Sequence, residues 1–272
     1  MTRGEFFIKK VKKFFRKKSR KRIKGRQKVS SKTKLPLVLA IFSLLIIVSG
    51  ISLLFIDDVS QHVVKKEAQS YVNTPPKTMK KHREDKKVTT QATYDPEQVK
   101  SLNTEDILAA QFSQEDLSAV GVLSIPSVNI TLPIFLGVGY NTMMYGSGTM
   151  KPNQVMGQGN YALASHTIFD MQGRAITDIL FGNLVHAQEG QEIYITDKEK
   201  VYLYVIDKIE QLSEENGEVI LDHSNKKELT MVTCLGYRVS GRLVIHGNLK
   251  SVKDYNNQTD KIFNQSFNQW YK

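Results

Sequence analysis

The chain of 272 residues has one cysteine, one tryptophan and seven prolines. A single thiol excludes an internal disulfide, and no C-x-x-C run or paired Cys/His spacing offers a structural zinc site. Acidic residues are nearly missing from the N-terminus. Residues 1–34 hold 16 of the 38 Lys and Arg but one of the 27 acids, Glu5, so the remainder carries 22 basic against 26 acidic residues, a net charge of −4. The overall excess of +11 therefore belongs to one terminal block, and a basic nucleic-acid-binding domain is not indicated.

One long apolar run is present. Leu35 to Ile56 is 22 residues without a charge, about 33 Å as a helix and enough to cross a bilayer. Pro36 stands in the first turn, where proline is tolerated. A cleavable signal peptide has a shorter apolar core followed by a small-x-small site, whereas this run continues through Leu53-Leu54-Phe55-Ile56 into Asp57-Asp58. An uncleaved signal anchor is expected, with the basic block in the cytoplasm and residues 57–272 outside. Beside such a helix, Lys9-Lys10-Val11-Lys12-Lys13 with Phe6, Phe7, Phe14 and Phe15 reads as a binder of anionic lipid rather than of nucleic acid.

Residues 57–93 alternate charge with breakers, as in Pro75-Pro76 and Lys80-Lys81-His82-Arg83-Glu84-Asp85-Lys86-Lys87, and read as a mobile tether. Asp95-Pro96-Glu97 reads as a helix start, with the pattern continuing through Val99, Leu102, Ile107 and Leu108. Short β-rich runs follow at residues 120–125, 130–135, 191–196, 201–206, 229–234 and 242–249, with a hairpin turn at Asp197-Lys198-Glu199 and a short helix over 176–185. The expected organisation is a basic tail (1–34), a transmembrane segment (35–56), a stalk (57–93), a mainly β domain closed as a barrel (94–252) and a C-terminal tail (253–272).

Chemistry-bearing residues are few. Cys234 ends the apolar run Leu229-Thr230-Met231-Val232-Thr233-Cys234 just before Gly236, a position that presents a thiol at a rim; an inert buried thiol is the other reading. Of the six histidines, His62 and His82 fall in the stalk, His186 at a helix end, His223 in an acidic loop and His246 in the last strand. His166 alone follows an apolar strand, Tyr161-Ala162-Leu163-Ala164, and opens a turn. Arg242 and Arg238 compete as the cation, and Arg242 is favoured because it starts a strand able to lie beside Cys234.

These segments carry a resemblance. Thr230-Met231-Val232-Thr233-Cys234 resembles the sortase signature T-L-x-T-C, with Met231 in place of leucine. Arg242-Leu243-Val244-Ile245 is similar to the strand that opens with the family arginine, Gly159 to His166 to its histidine segment, and Gly121-Val122-Leu123-Ser124-Ile125-Pro126 to its first strand. Residues 95–250 keep the family order His, Cys, Arg. One N-terminal anchor, no C-terminal membrane segment and no aromatic lid resemble class A of that family. The calcium-binding variant uses carboxylates before the histidine strand, and residues 141–160 contain none, so neither calcium nor another cofactor is expected.

The resemblance implies an eight-stranded β-barrel with short helices and a cysteine transpeptidase. Such an enzyme cuts L-P-x-T-G sorting signals of surface-protein precursors between Thr and Gly through a thioacyl intermediate, then joins the threonine to a lipid-linked peptidoglycan precursor amine. Cys234 is then the nucleophile, His166 the proton carrier and Arg242 the oxyanion or substrate donor, with Ala164, Thr230, Val232 and Thr233 beside the substrate. The loop over 209–225, rich in Glu210, Glu214, Glu215, Glu218 and Asp222, corresponds to the family's substrate-facing loop or is a solvated acidic loop. A membrane-tethered cysteine hydrolase and a non-catalytic barrel module remain as alternatives.

Overall fold

The computed structural model describes residues 35–54, 56–95, 102–103, 117–170, 172–213, 215–236 and 241–269. The chain divides into two units, residues 1–53 and 54–272. In the first, helix α1 (Leu35–Leu54) is 20 residues long and charge-free. Its side chains are described only over 36–52. Counted on described residues alone, no helix is long and apolar enough to cross a membrane. The backbone of α1 spans 20 residues, about 30 Å.

The second unit is built on eight strands closed into a barrel. In order around the wall they are β10 (Glu228–Cys234), β11 (Gly241–Asp254), β9 (Lys200–Ser213), β8 (Glu192–Thr196), β2 (Ala119–Ile125), β3 (Ile130–Phe135), β4 (Ser147–Thr149) and β5 (Asn160–Ala164), which returns to β10. Neighbours are antiparallel except β3 with β4 and β5 with β10, which are parallel. Closure leaves no unpaired edge in the wall. Leu123, Ile134, Leu163, Ile193, Tyr204, Leu229, Met231 and Ile245 meet in the core. The expected hairpin forms at 197–199: the Asp197 carboxylate accepts from the Glu199 and Lys200 amides at 2.9 and 2.8 Å, and Lys198 takes φ +62°.

Outside the barrel the structure departs from the sequence reading. The stretch expected to be a tether forms helices α2 (Ile56–Val72), α3 (Pro76–Glu84) and α4 (Lys86–Gln91). Val64, Ala68 and Val72 are 1–3% exposed. Their four-residue spacing makes one apolar stripe, masked in the sequence by charges on the other face. α2 packs on β2 and β3, where the Tyr71 ring meets Phe135 edge-on at 5.1 Å. α3 buries Met79 completely; Arg83 donates to the Asp197 carbonyl at 2.8 Å, and His82 Nδ1 lies 2.9 Å from the Ala119 carbonyl. Lys198 Nζ donates to the carbonyls of Val72 and Thr74 at 2.7 Å each, closing the C-terminal end of α2.

Three smaller corrections follow. The helix expected from Asp95 lies largely outside the described residues, and its described pair Leu102–Asn103 is a strand, β1, parallel to β6 (Ile168–Phe169). The segment expected as a helix over 176–185 begins in strand β7 (Ala175–Ile176) and holds only a 3-10 turn at Gly182–His186. β11 extends to Asp254, and the expected tail contains helix α5 (Asn257–Gln269), anchored on β2 and β3 with Phe263 buried.

Candidate active site

β10 organises the site. Leu229 and Met231 point into the barrel core with Leu243 and Ile245 of β11. Successive side chains alternate, so Thr230, Val232 and Cys234 share the outer face. Cys234 is the register partner of Arg242, Val232 of Val244 and Thr230 of His246. On the other side, Val232 is level with Ala164 and Thr230 with Ala162 of β5. The parallel register ends at Ala164, two residues before His166, with the Ser165 amide still bonded to the Val232 carbonyl, two residues before Cys234. Across the antiparallel β10–β11 pair, residues directly opposite one another have Cβ atoms about 4.5–5.5 Å apart. His166, Cys234 and Arg242 therefore lie in that order on three adjacent segments. Cys234 is 2% exposed and His166 fully buried, while Arg242 is partly exposed. Arg238, the rival cation, lies outside the described residues.

The His166 backbone is held from several sides. Its carbonyl accepts from the Phe181 amide at 3.2 Å, and the preceding Ser165 amide donates to the Val232 carbonyl at 3.3 Å. The Ser165 hydroxyl donates to the Gly146 carbonyl at 2.6 Å. Thr233 completes the arrangement: its hydroxyl donates to the Ser165 carbonyl at 2.9 Å and, having one hydrogen, accepts from Thr167 Oγ1 at 2.9 Å. Thr233, expected beside the substrate, is completely buried and clasps the residues on either side of His166. Sequence reading missed Ser165 and Thr167 in this role, although both flank His166 directly.

The remaining expected residues occupy the outer face at increasing distance from Cys234. Val232 is 5% exposed and Ala164 is buried, packed with Val138, Met143 and Met150. Thr230 lies four residues from Cys234, about 13 Å along the strand. It meets the β9–β10 connection, which starts later than expected because β9 runs through Ser213. This connection contains a 3-10 turn at Gly217–Ile220 and is tied to the barrel. Asn160 Nδ2 donates to the carbonyls of Val219 and Leu221 at 2.9 and 3.2 Å. Asp222 Oδ1 accepts from the Asn160 amide at 2.8 Å and from Lys151 Nζ at 2.6 Å. The Lys151 hydrogen bond, chiefly, holds the Asp222 carboxyl below its ordinary value. Gly159 makes room for it: at φ +51°, a Cβ there would lie 2.7 Å from Asp222 Oδ1. The acidic connection is thus anchored at two points rather than simply solvated. Among the described residues no group of three or more His, Cys, Asp or Glu could hold a metal ion.

Residues 123–250 match the sortase domain family model. The chain is 38% identical over 231 residues to sortase A of Streptococcus agalactiae serotype III (strain NEM316), covering 83% of this chain and 91% of the relative. It is 33% identical over 162 residues to sortase A of Bacillus anthracis, covering 55% of this chain and 74% of that one. Among solved structures, sortase C-3 of Streptococcus pneumoniae aligns with a TM-score of 0.53 at 19% identity, over 75% of this chain and 99% of that one, a likeness of fold.

Proposed function

Because the chain belongs to the sortase family and is a cysteine transpeptidase of the sortase A type, we propose that Cys234, His166 and Arg242 carry its reaction on an L-P-x-T-G sorting signal. The Cys234 thiolate attacks the threonine carbonyl carbon, forming a C–S bond. A permanent cation one strand away favours the thiolate over the thiol. Arg242 donates to the oxyanion, with donors that do not deprotonate near neutral pH. As the C–N bond to glycine breaks, His166 gives its proton to the leaving amine. The thioacyl intermediate is then attacked by an incoming amine, which loses a proton to His166, and the Cys234 thiolate leaves.

The observation that carries this reading is the register of β10 with β11 and β5: Cys234 pairs with Arg242 on one side, and on the other β5 runs out two residues before His166. Ala164, Val232 and Thr230 share the outer face along which the signal would lie extended, with the β9–β10 connection flanking its far end. α1 is proposed as a single membrane span with the basic tail on anionic cytoplasmic lipid and the barrel outside. Surface-protein precursors and a lipid-linked peptidoglycan amine then meet the enzyme at one membrane surface, where tethering raises their effective concentration.

The test is mass spectrometry of an L-P-x-T-G peptide incubated with the full-length protein in detergent and a glycine-type amine. A threonine–amine product absent with Cys234→Ala supports the proposal. Cleavage to the free threonine acid despite the amine would point to a hydrolase, and an untouched peptide would reject the proposed substrate.

A further inference from the structure

His246 lies on the same outer face of β11 as Arg242, four residues further on, yet has no part in the reaction above. Its side chain is 21% exposed. Nε2 is 2.9 Å from Glu210 Oε1, and Nδ1 is 3.2 Å from Thr230 Oγ1. The Thr230 hydroxyl is also within 3.4 Å of the Val219 carbonyl, in the 3-10 turn of the β9–β10 connection. A continuous path therefore runs from β9 through β11 and β10 into the connection that flanks the proposed substrate.

Counting hydrogens along this path gives it two states. The Glu210 carboxyl is held below its ordinary value, first by its hydrogen bond with Lys208 and further by His246, so it remains an ionised acceptor and Nε2 must donate to it. If the ring is neutral, Nδ1 has only a lone pair and takes the single Thr230 hydroxyl hydrogen, leaving none for Val219. If the ring is an imidazolium, Nδ1–H donates to the Thr230 oxygen and the hydroxyl hydrogen is released to the Val219 carbonyl. Only the protonated ring satisfies every link.

We infer that His246 is a positioning residue for the β9–β10 connection: its second proton turns the Thr230 hydroxyl from the ring to the Val219 carbonyl and fastens the connection to β10. The effect on catalysis rests on the proposed function, since it requires this connection to flank the sorting signal. Added to the Asn160 and Asp222 anchors, this further bond to β10 reduces the conformational freedom that the connection loses when substrate arrives, so substrate binds more tightly on the acid side. The charged groups facing the ring come from β9: Glu210, which it contacts, and Lys208, its register partner, which is bonded to Glu210. Asp207 is held by Asn248 at 2.7 Å, and Glu228 of β10 is occupied by His223 and Lys226.

The experiment follows the Ile220 amide, which shares a peptide group with the Val219 carbonyl. Full-length, deuterated protein in detergent micelles is titrated by NMR over about pH 5–8, where imidazoles change charge. The Ile220 amide of the native protein should move in step with the His246 ring carbons. It should lose that step in Thr230→Val and in His246→Asn, which keeps a polar group where Nδ1 stands but does not titrate. KM for the L-P-x-T-G peptide should fall about two- to tenfold toward the acid end in the native protein, the worth of one hydrogen bond. It should stay flat in His246→Asn, while kcat keeps its pH profile in both. His246→Gln serves as a second non-titrating variant. An Ile220 amide that stays still while His246 titrates, or that titrates equally in the variants, would overturn the inference. Absence of peptide turnover in the native protein would instead reject the proposed substrate, and the Ile220 response would still decide the role of His246.

Discussion

Thr233→Val is the perturbation that most sharply tests how His166 is held. The two side chains have nearly the same shape, so the substitution removes one hydroxyl and little volume. That hydroxyl makes two hydrogen bonds of 2.9 Å, to the Ser165 carbonyl and from Thr167 Oγ1, in a region where Ser165 and Thr233 are 0% and Thr167 1% exposed. Water cannot replace it there, and each buried polar group left without a partner costs about 1–3 kcal/mol. With two groups affected, a loss of about 2–6 kcal/mol is expected. That corresponds to a fall of roughly 4–24 °C in Tm for a domain of this size. The same change loosens the segment on both sides of His166, and misplacement of a catalytic group by about 1 Å can cost a hundredfold in rate. The assays are thermal unfolding followed by circular dichroism and steady-state cleavage of an L-P-x-T-G peptide, with loss in kcat exceeding any change in KM. A double-mutant cycle with Thr167→Val should give a coupling energy of about 0.5–3 kcal/mol between the two hydroxyls. Unchanged Tm and unchanged kcat in Thr233→Val would refute the argument that this clasp positions His166.

Other predictions address the connection and the helices. Met79→Ala empties a fully buried site between α3 and the barrel, with an expected loss of about 2–5 kcal/mol by denaturant unfolding; a residue in a free tether would cost nothing. Gly159→Ala should raise KM more than it lowers kcat, because the new Cβ would displace Asp222 from the Asn160 amide while leaving the Cys234 end of β10 in place. The Asp222 carboxyl is depressed in the folded protein, so its contribution to stability is present above the ordinary carboxylate value, about 3.9, and is lost as pH falls through the folded value. Lys151→Ala should move its NMR titration upward, and failure to do so would reject the Lys151 hydrogen bond as the main cause.

The barrel was legible because its strands carry strong local signals. Val120 to Ile125, Ile130 to Phe135 and Leu229 to Cys234 are apolar and β-branched, and Asp197-Lys198-Glu199 supplies a turn whose aspartate bonds the amides beyond it. The pairing of Arg242 with Cys234 could be anticipated from the short excursion between them. The helices over 56–91 were hidden because their apolar positions are few and widely spaced. Val64, Ala68, Val72 and Met79 are buried only because α2 and α3 meet the outer surfaces of β2 and β3, far along the chain. Phe263 in α5 was hidden for the same reason. Thr233 was expected beside the substrate with its neighbours Val232 and Cys234; its contacts with Ser165 and Thr167 were not legible, because strand alternation becomes decisive only once barrel closure fixes which face is inside. Asn160, Asp222 and His246 carried no local sign of their contacts, which join residues from 16 to 71 positions apart.

The central claim is that Cys234 becomes acylated by the threonine of the sorting signal. Its most direct test is intact-protein mass spectrometry of the full-length chain after rapid mixing with an L-P-x-T-G peptide and acid quenching. An acylated Cys234 shows a mass gain equal to the peptide through its threonine less one water, mapped to Cys234, discharged by added amine and absent in Cys234→Ala. Turnover of the peptide with no such adduct, or an equal adduct in Cys234→Ala, would contradict it.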